Sequence, residues 1–148
     1  MSAYSLKPKA YSLFAIALLI GAMSYLSACQ SNVDIQMAQY AVNGQKVYRN
    51  HCQNCHGAKG EGLAKLYPPL TDNNFFALHR EKLSCIVRHG LHEKIEVSGQ
   101  QYDQPMPGNN KLTDLDIAYV LTYVTTTFGQ SDSIYSHEAV KKALSHCK

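Results

Sequence analysis

The seven residues from His51 to Gly57, HCQNCHG, constrain this chain more than any other stretch. Upstream, from about Met37, the sequence is amphipathic, with Gly44, Val47, Tyr48 and His51–Cys52 recurring at i, i+3, i+4 and i+7/8. Gly57 and the run Gly60-Glu61-Gly62 then break regular structure. Cys52 and Cys55 therefore share one helical turn with His56 beside them, and the fold has to accommodate whatever these side chains hold.

The first 28 residues read as a targeting segment. Lys7 and Lys9 form a basic region ahead of Tyr11–Leu26, an uncharged, largely apolar stretch of 16 residues. A spanning helix needs about 20 apolar residues. An uncleaved anchor is the alternative, because the uncharged stretch runs from Ala10 to Val33. Leu26-Ser27-Ala28-Cys29 resembles the lipobox of bacterial lipoproteins. That resemblance implies that Cys29 carries lipid and becomes the mature N-terminus. Gln30, in place of Asp, favours the outer membrane in the simplest sorting rule. Both readings export the protein and tether it to a membrane, facing the periplasm or the cell exterior. The expected organisation is a signal peptide over 1–28, a tether over 29–36, a main domain over 37–129 and an extension with a short helix over 130–148. The formal charge is +3 with no basic run, and without Lys7 and Lys9 there are 12 basic against 11 acidic residues. That balance argues against nucleic-acid binding.

Few elements are expected in the main domain. "LYPPL" (Leu66–Leu70) has to be extended or turned around its prolines. A helix over Arg80–His89 aligns Leu83, Ile86 and Val87, with Gly90 as its stop. "IEVSGQQY" suggests a small hairpin about Ser98-Gly99. The clearest helix starts at the N-cap Thr113, has Asp114 and Asp116 in its first turn and ends at Gly129. A short helix from about Ser136 aligns Val140, Leu144 and Cys147. The sum is an all-α chain of three to five short helices joined by long loops. Such a chain makes a poor core alone, so something else should fill its middle.

Three chemistries compete for the cysteine motif. A thiol–disulfide pair expects its Cys-x-x-Cys at a helix N-terminus after a strand, whereas here a helix precedes it. Structural zinc needs a third and fourth ligand, and no second cysteine pair follows, although His51 and His56 are near. Covalent haem attachment is the third, for which Cys-x-x-Cys-His is the recognised pattern. Two cysteines on one helical turn can reach both vinyl groups on one side of a porphyrin, and the adjacent His56 then falls under the iron. One covalent haem c is the expected cofactor.

Iron used for electron transfer usually takes a second axial ligand. Beyond the leader only Met37 and Met106 remain as methionines. Met37 precedes the motif on the same helix and is badly placed to cross to the opposite haem face. Met106, in "YDQPMPGN", stands between Pro105 and Pro107, which limit the loop's freedom. His89 and His92 are rival ligands, and an exposed turn methionine is the plain alternative. His/Met ligation raises the potential and leaves no open iron position, which argues for a carrier with no small-molecule substrate.

These features together resemble a class I cytochrome c domain over roughly Met37–Gly129. On that resemblance, Gly44 and Tyr48 lie where the first and last helices cross, opposite Tyr119 or Tyr123. Pro68, twelve residues past His56, would accept the proximal imidazole N–H, with Pro69 as the alternative. Leu70 would pack on the haem, within an apolar wall of Leu66, Leu70, Ile86, Val87, Tyr102 and Leu112. Lys59, Lys65 and Lys111 could rim the haem edge, or be merely solvated. The implied partners are redox proteins, met transiently or as fellow subunits of a larger oxidoreductase. A haem-based sensor or a peroxidase-like enzyme is a third reading.

Five cysteines can be counted against these roles. Cys29 takes lipid and Cys52 and Cys55 take haem, leaving Cys85 and Cys147. In an oxidising compartment a Cys85–Cys147 disulfide is the natural pairing, with two free thiols as the alternative.

Overall fold

A computed structural model describes residues 15–21 and 32–147. Cys29 and most of the leader lie outside the described residues. The chain divides into two units, Met1–Ile35 and Gln36–Lys148. In the first, residues 15–21 form a short exposed helix, α1. No helix among the described residues is long and apolar enough to cross a membrane.

Residues 32–147 hold helices α2 (Asn32–His51), whose first turn belongs to the first unit, α3 (Gln53–His56), α4 (Asn73–His79), α5 (Leu83–His89), α6 (Asp114–Thr127) and α7 (His137–Leu144). Two antiparallel strand pairs accompany them. β2 (Ile95–Val97) pairs with β3 (Gln100–Tyr102) as a hairpin about Ser98-Gly99, and β1 (Gly90–Leu91) pairs with β4 (Met106–Pro107).

α6 is the spine of the fold. Its capping box joins Asp116 N to Thr113 Oγ1 (3.1 Å) and Thr113 N to Asp116 Oδ2 (2.9 Å), which fixes where the helix starts. It buries Ile117, Ala118, Val120, Leu121 and Val124. Thr122 and Thr125 are buried too, and their hydroxyls donate to the carbonyls of Ala118 and Leu121, each at 2.8 Å. α2 meets α6 where Gly44 lies against the Tyr119 carbonyl and Tyr123 Cβ. Tyr48 packs on Tyr123 at 5.5 Å between ring centroids, and Tyr40 meets Tyr119 edge-on at 4.8 Å. Both candidate tyrosines of α6 thus serve the crossing.

Several expectations need correction. Among the described residues there are more than five helices, because α4 was not foreseen and Gln53–His56 counts as a short helix of its own that continues the turn from α2. α4 exists because the Asp72 carboxylate caps it, accepting from Asn74 N (2.9 Å) and Phe75 N (3.0 Å). The helix expected from Arg80 starts at Leu83, after a turn closed by Lys82 N donating to the His79 carbonyl at 2.8 Å. α2 begins at Asn32, ahead of the start expected at about Met37. The β1–β4 ladder was not anticipated, since two residues carry no alternation to detect.

The extension folds back on the domain. Ser136 caps α7 by accepting from Ala139 N at 3.1 Å, and Val140 is fully buried with Leu83, Leu121 and Tyr135. A disulfide joins Cys85 of α5 to Cys147 beyond α7.

Candidate functional site

The sequence HCQNCHG ends α2 and forms α3. Cys52 N donates to the Tyr48 carbonyl (2.9 Å) and His56 N to that of Cys52 (3.0 Å), so both cysteines and the histidine ride one continuous backbone turn. The loop after them is pinned back. Tyr48 Oη donates to the Gly57 carbonyl at 2.6 Å, Gly62 N to the His56 carbonyl at 2.8 Å, and Leu70 N to the Gly60 carbonyl at 2.7 Å. That folding carries Pro68 to His56, whose Nδ1 lies 3.1 Å from the Pro68 carbonyl oxygen. A carbonyl can only accept, so Nδ1 bears the proton and Nε2 keeps its lone pair.

His56 is buried, 9% exposed. Burial lowers its pKa, and the bond to Pro68 opposes that shift. The neutral imidazole, the form that binds metal, is thereby favoured. Cys52 and Cys55 are free thiols, both half-buried. Burial, and then the neighbouring Cys55, pushes the Cys52 thiol up to about 11, so it is protonated at neutral pH.

Cys52, Cys55, His56 and Met106 all line one cavity, whose empty space totals ≈ 1170 Å³ including its open mouth. Met106 enters from β4, where its backbone pairs with Leu91. Met37, His89 and His92 do not line this cavity, and both histidines are exposed. The wall is mostly apolar. Leu70, Ile86, Val87 and Tyr102 belong to it, but two of the expected members do not. Leu66 is 44% exposed, turned outward in the reversal that brings Leu66 N to the Leu63 carbonyl. Leu112 is buried against Leu83 and Ile117 in the core instead. Phe75 and Phe76 of α4, Tyr67, and Val120 and Val124 of α6 line the cavity without having been anticipated. The Asp72-Asn-Asn-Phe-Phe run, a capping residue ahead of two aromatics, was the available signal for the phenylalanines. Lys59, Lys65 and Lys111 are exposed, and none lines the cavity.

The donor set suits a haem. One imidazole nitrogen is left for iron, a thioether lines the same cavity, and two reduced thiols stand on one turn beside them. The apolar wall would exclude water from a flat macrocycle.

The family model described as Cytochrome c matches residues 41–128. One cytochrome c-552 of Thermus thermophilus is 31% identical over 115 residues, covering 72% of this chain and 77% of that protein. A second Thermus thermophilus cytochrome c-552 is 32% identical over 109 residues, covering 68% and 82% respectively. With the attachment motif, the helical frame and the cavity in agreement, the chain belongs to the cytochrome c family: it is a class I c-type cytochrome, an electron-transfer protein whose cofactor is covalently attached haem c.

Proposed function

We propose that this protein is an exported one-electron carrier, tethered to a membrane by lipid on Cys29. Its haem is bonded through Cys52 and Cys55 and ligated by His56 and Met106. The observation that carries the ligand assignment is the convergence of His56, with its Nδ1 engaged by Pro68, and Met106 on one cavity from segments 50 residues apart.

Haem supplies an iron that cycles between two oxidation states, and the chain's residues set the terms. The Pro68 carbonyl holds the imidazole in one tautomer and raises its basicity. The Met106 thioether is a neutral, soft donor that favours the reduced state. Phe76, Ile86, Val87 and Tyr102 keep water from the centre and so favour the less charged form. With His56 and Met106 both serving as ligands, no open iron position would be left for a substrate. Cys52 and Cys55 are half-buried, so the edge they hold is the exit for electrons toward redox partners.

Met106→Ala should lose the sulfur–iron charge-transfer absorption of the oxidised protein; survival of that band would show another ligand. Cys29→Ala should move the protein from the membrane fraction to the soluble one. Detergent extraction followed by sizing separates a free carrier from a fixed subunit of an oxidoreductase, because a stable co-purifying complex favours the latter.

A further inference from the structure

Met106 lies half-buried in a strand of two residues, so what holds it in place is the chain around it. The segment after it is locked to the end of α5. Gly90, at φ 88°, and Gly108 interlock there. A Cβ on Gly90 would stand 2.5 Å from the Met106 carbonyl oxygen, and one on Gly108 would stand 2.7 Å from that of Arg88. Asn109 N donates to the Val87 carbonyl at 2.9 Å. The Arg88 side chain completes the lock. Its Nη1 donates to the carbonyls of Leu112 (2.6 Å) and Asn110 (3.4 Å), and its Nη2 pairs with Asp114 Oδ1 at 2.6 Å. This pair is largely enclosed, with side chains 18% and 33% exposed.

One guanidinium thus joins the last turn of α5, the loop that follows Met106 and the first turn of α6. Its planar fork serves two carbonyls and a carboxylate together, which a lysine ammonium at the same place cannot reproduce. We propose that Arg88 is the positioning residue for the axial methionine: it keeps the 107–112 segment ordered, so that the Met106 sulfur is presented to the iron rather than sampled by a mobile loop. The proposal rests on Met106 being the ligand. Without the fork, both carbonyls and Asp114 lose their donor, the segment loosens, and the sulfur leaves the iron more often.

Carbon monoxide binding to the reduced holoprotein reads this directly, because the gas must wait for the sulfur to leave. Arg88→Ala should raise the binding rate about ten-fold, the scale of one lost charge-assisted hydrogen bond. Arg88→Lys should fall between Arg88→Ala and the wild type, and it is the variant measured should Arg88→Ala fail to mature. Val140→Ala, which opens a cavity under α7 away from the ligand loop, reports general destabilisation. A wild-type rate in the Arg88 variants, or an equal rise in Val140→Ala, overturns the proposal. If the charge-transfer absorption survives in Met106→Ala, the ligand assignment falls and takes this role with it. If it is lost there while the Arg88 variants bind carbon monoxide normally, only the role of Arg88 falls.

Discussion

A methyl group at Gly44 would collide with the Tyr119 carbonyl oxygen and lie 2.6 Å from Tyr123 Cβ. On an open helix face, Gly→Ala would stabilise by about 1 kcal/mol through propensity. Here overpacking, at roughly 1–3 kcal/mol, opposes and exceeds that gain. Gly44→Ala is therefore expected to lower the denaturant midpoint of the holoprotein, and an unchanged or raised midpoint would show that the crossing is loose. Asp72 is a second position where one side chain decides a larger arrangement. Its Oδ1 caps α4, while its Oδ2 accepts from Ser98 N (2.7 Å) and Ser98 Oγ (3.0 Å) in the β2–β3 turn. The bond from Phe75 N, and then that from Ser98 N, holds its carboxyl below the usual range. Because the native pKa is the lower one, the unfolded chain takes the proton first. The contribution is complete above the unfolded value of about 3.9 and is lost as pH falls through the native value. Asp72→Ala should cost about 1 kcal/mol at pH 7, as the loss of a helix cap does. The difference from wild type should shrink on acidification below pH ~4, where the wild-type carboxylate is itself protonated. A difference independent of pH would exclude this role.

At the scale of elements, α7 is attached through buried Val140, half-buried Leu144 and one covalent link. The Cys85–Cys147 disulfide spans 62 residues. In the chain-entropy model, closing a loop of that length contributes about 4 kcal/mol. The double variant Cys85→Ser/Cys147→Ser should lower the unfolding free energy by up to that amount while leaving haem attachment unchanged. A shift below roughly 1 kcal/mol would mean that the unfolded chain gains little freedom when the link is cut. α5 has a place at both ends of this arrangement. Its start carries the disulfide that secures α7, and its end carries Arg88 and Gly90, which secure the Met106 loop. Damage to the middle of α5 should therefore be felt at the C-terminus and in the Met106 loop together.

Across the whole molecule, helices α2, α4, α5 and α6 and the β2–β3 hairpin surround a cavity rather than a continuous apolar core. The buried residues form two clusters, one around Leu83, Ile117 and Leu121 and one around Tyr48, Val120 and Tyr123. Haem burial then supplies the apolar contact that a chain of this size otherwise lacks. A Cys52→Ser/Cys55→Ser chain made without haem should show reduced far-ultraviolet helical signal and rapid proteolysis in 90–112. A cooperative melt with native helical content would overturn this dependence.

Cys52, Cys55 and His56 could be read from the sequence because their chemistry depends on spacing along one turn, which the sequence states directly. The same holds for the Thr113 cap, for the start of a helix near Ser136 and for the hairpin at Ser98-Gly99, whose signals are local. The frame of α2 and α6 was legible for a related reason: periodicity exposes which face is apolar. α4 was missed although its cap, Asp72, is local, because the helix is short and its apolar pair has no repeat. Leu66 and Leu112 were misplaced, since an apolar residue carries no record of which apolar surface it meets. The β1–β4 ladder, the Gly90–Gly108 interlock and the reach of Arg88 to Leu112 and Asp114 were decided only in three dimensions. They join segments some 15–26 residues apart through backbone contacts and one guanidinium, and no local pattern encodes such contacts.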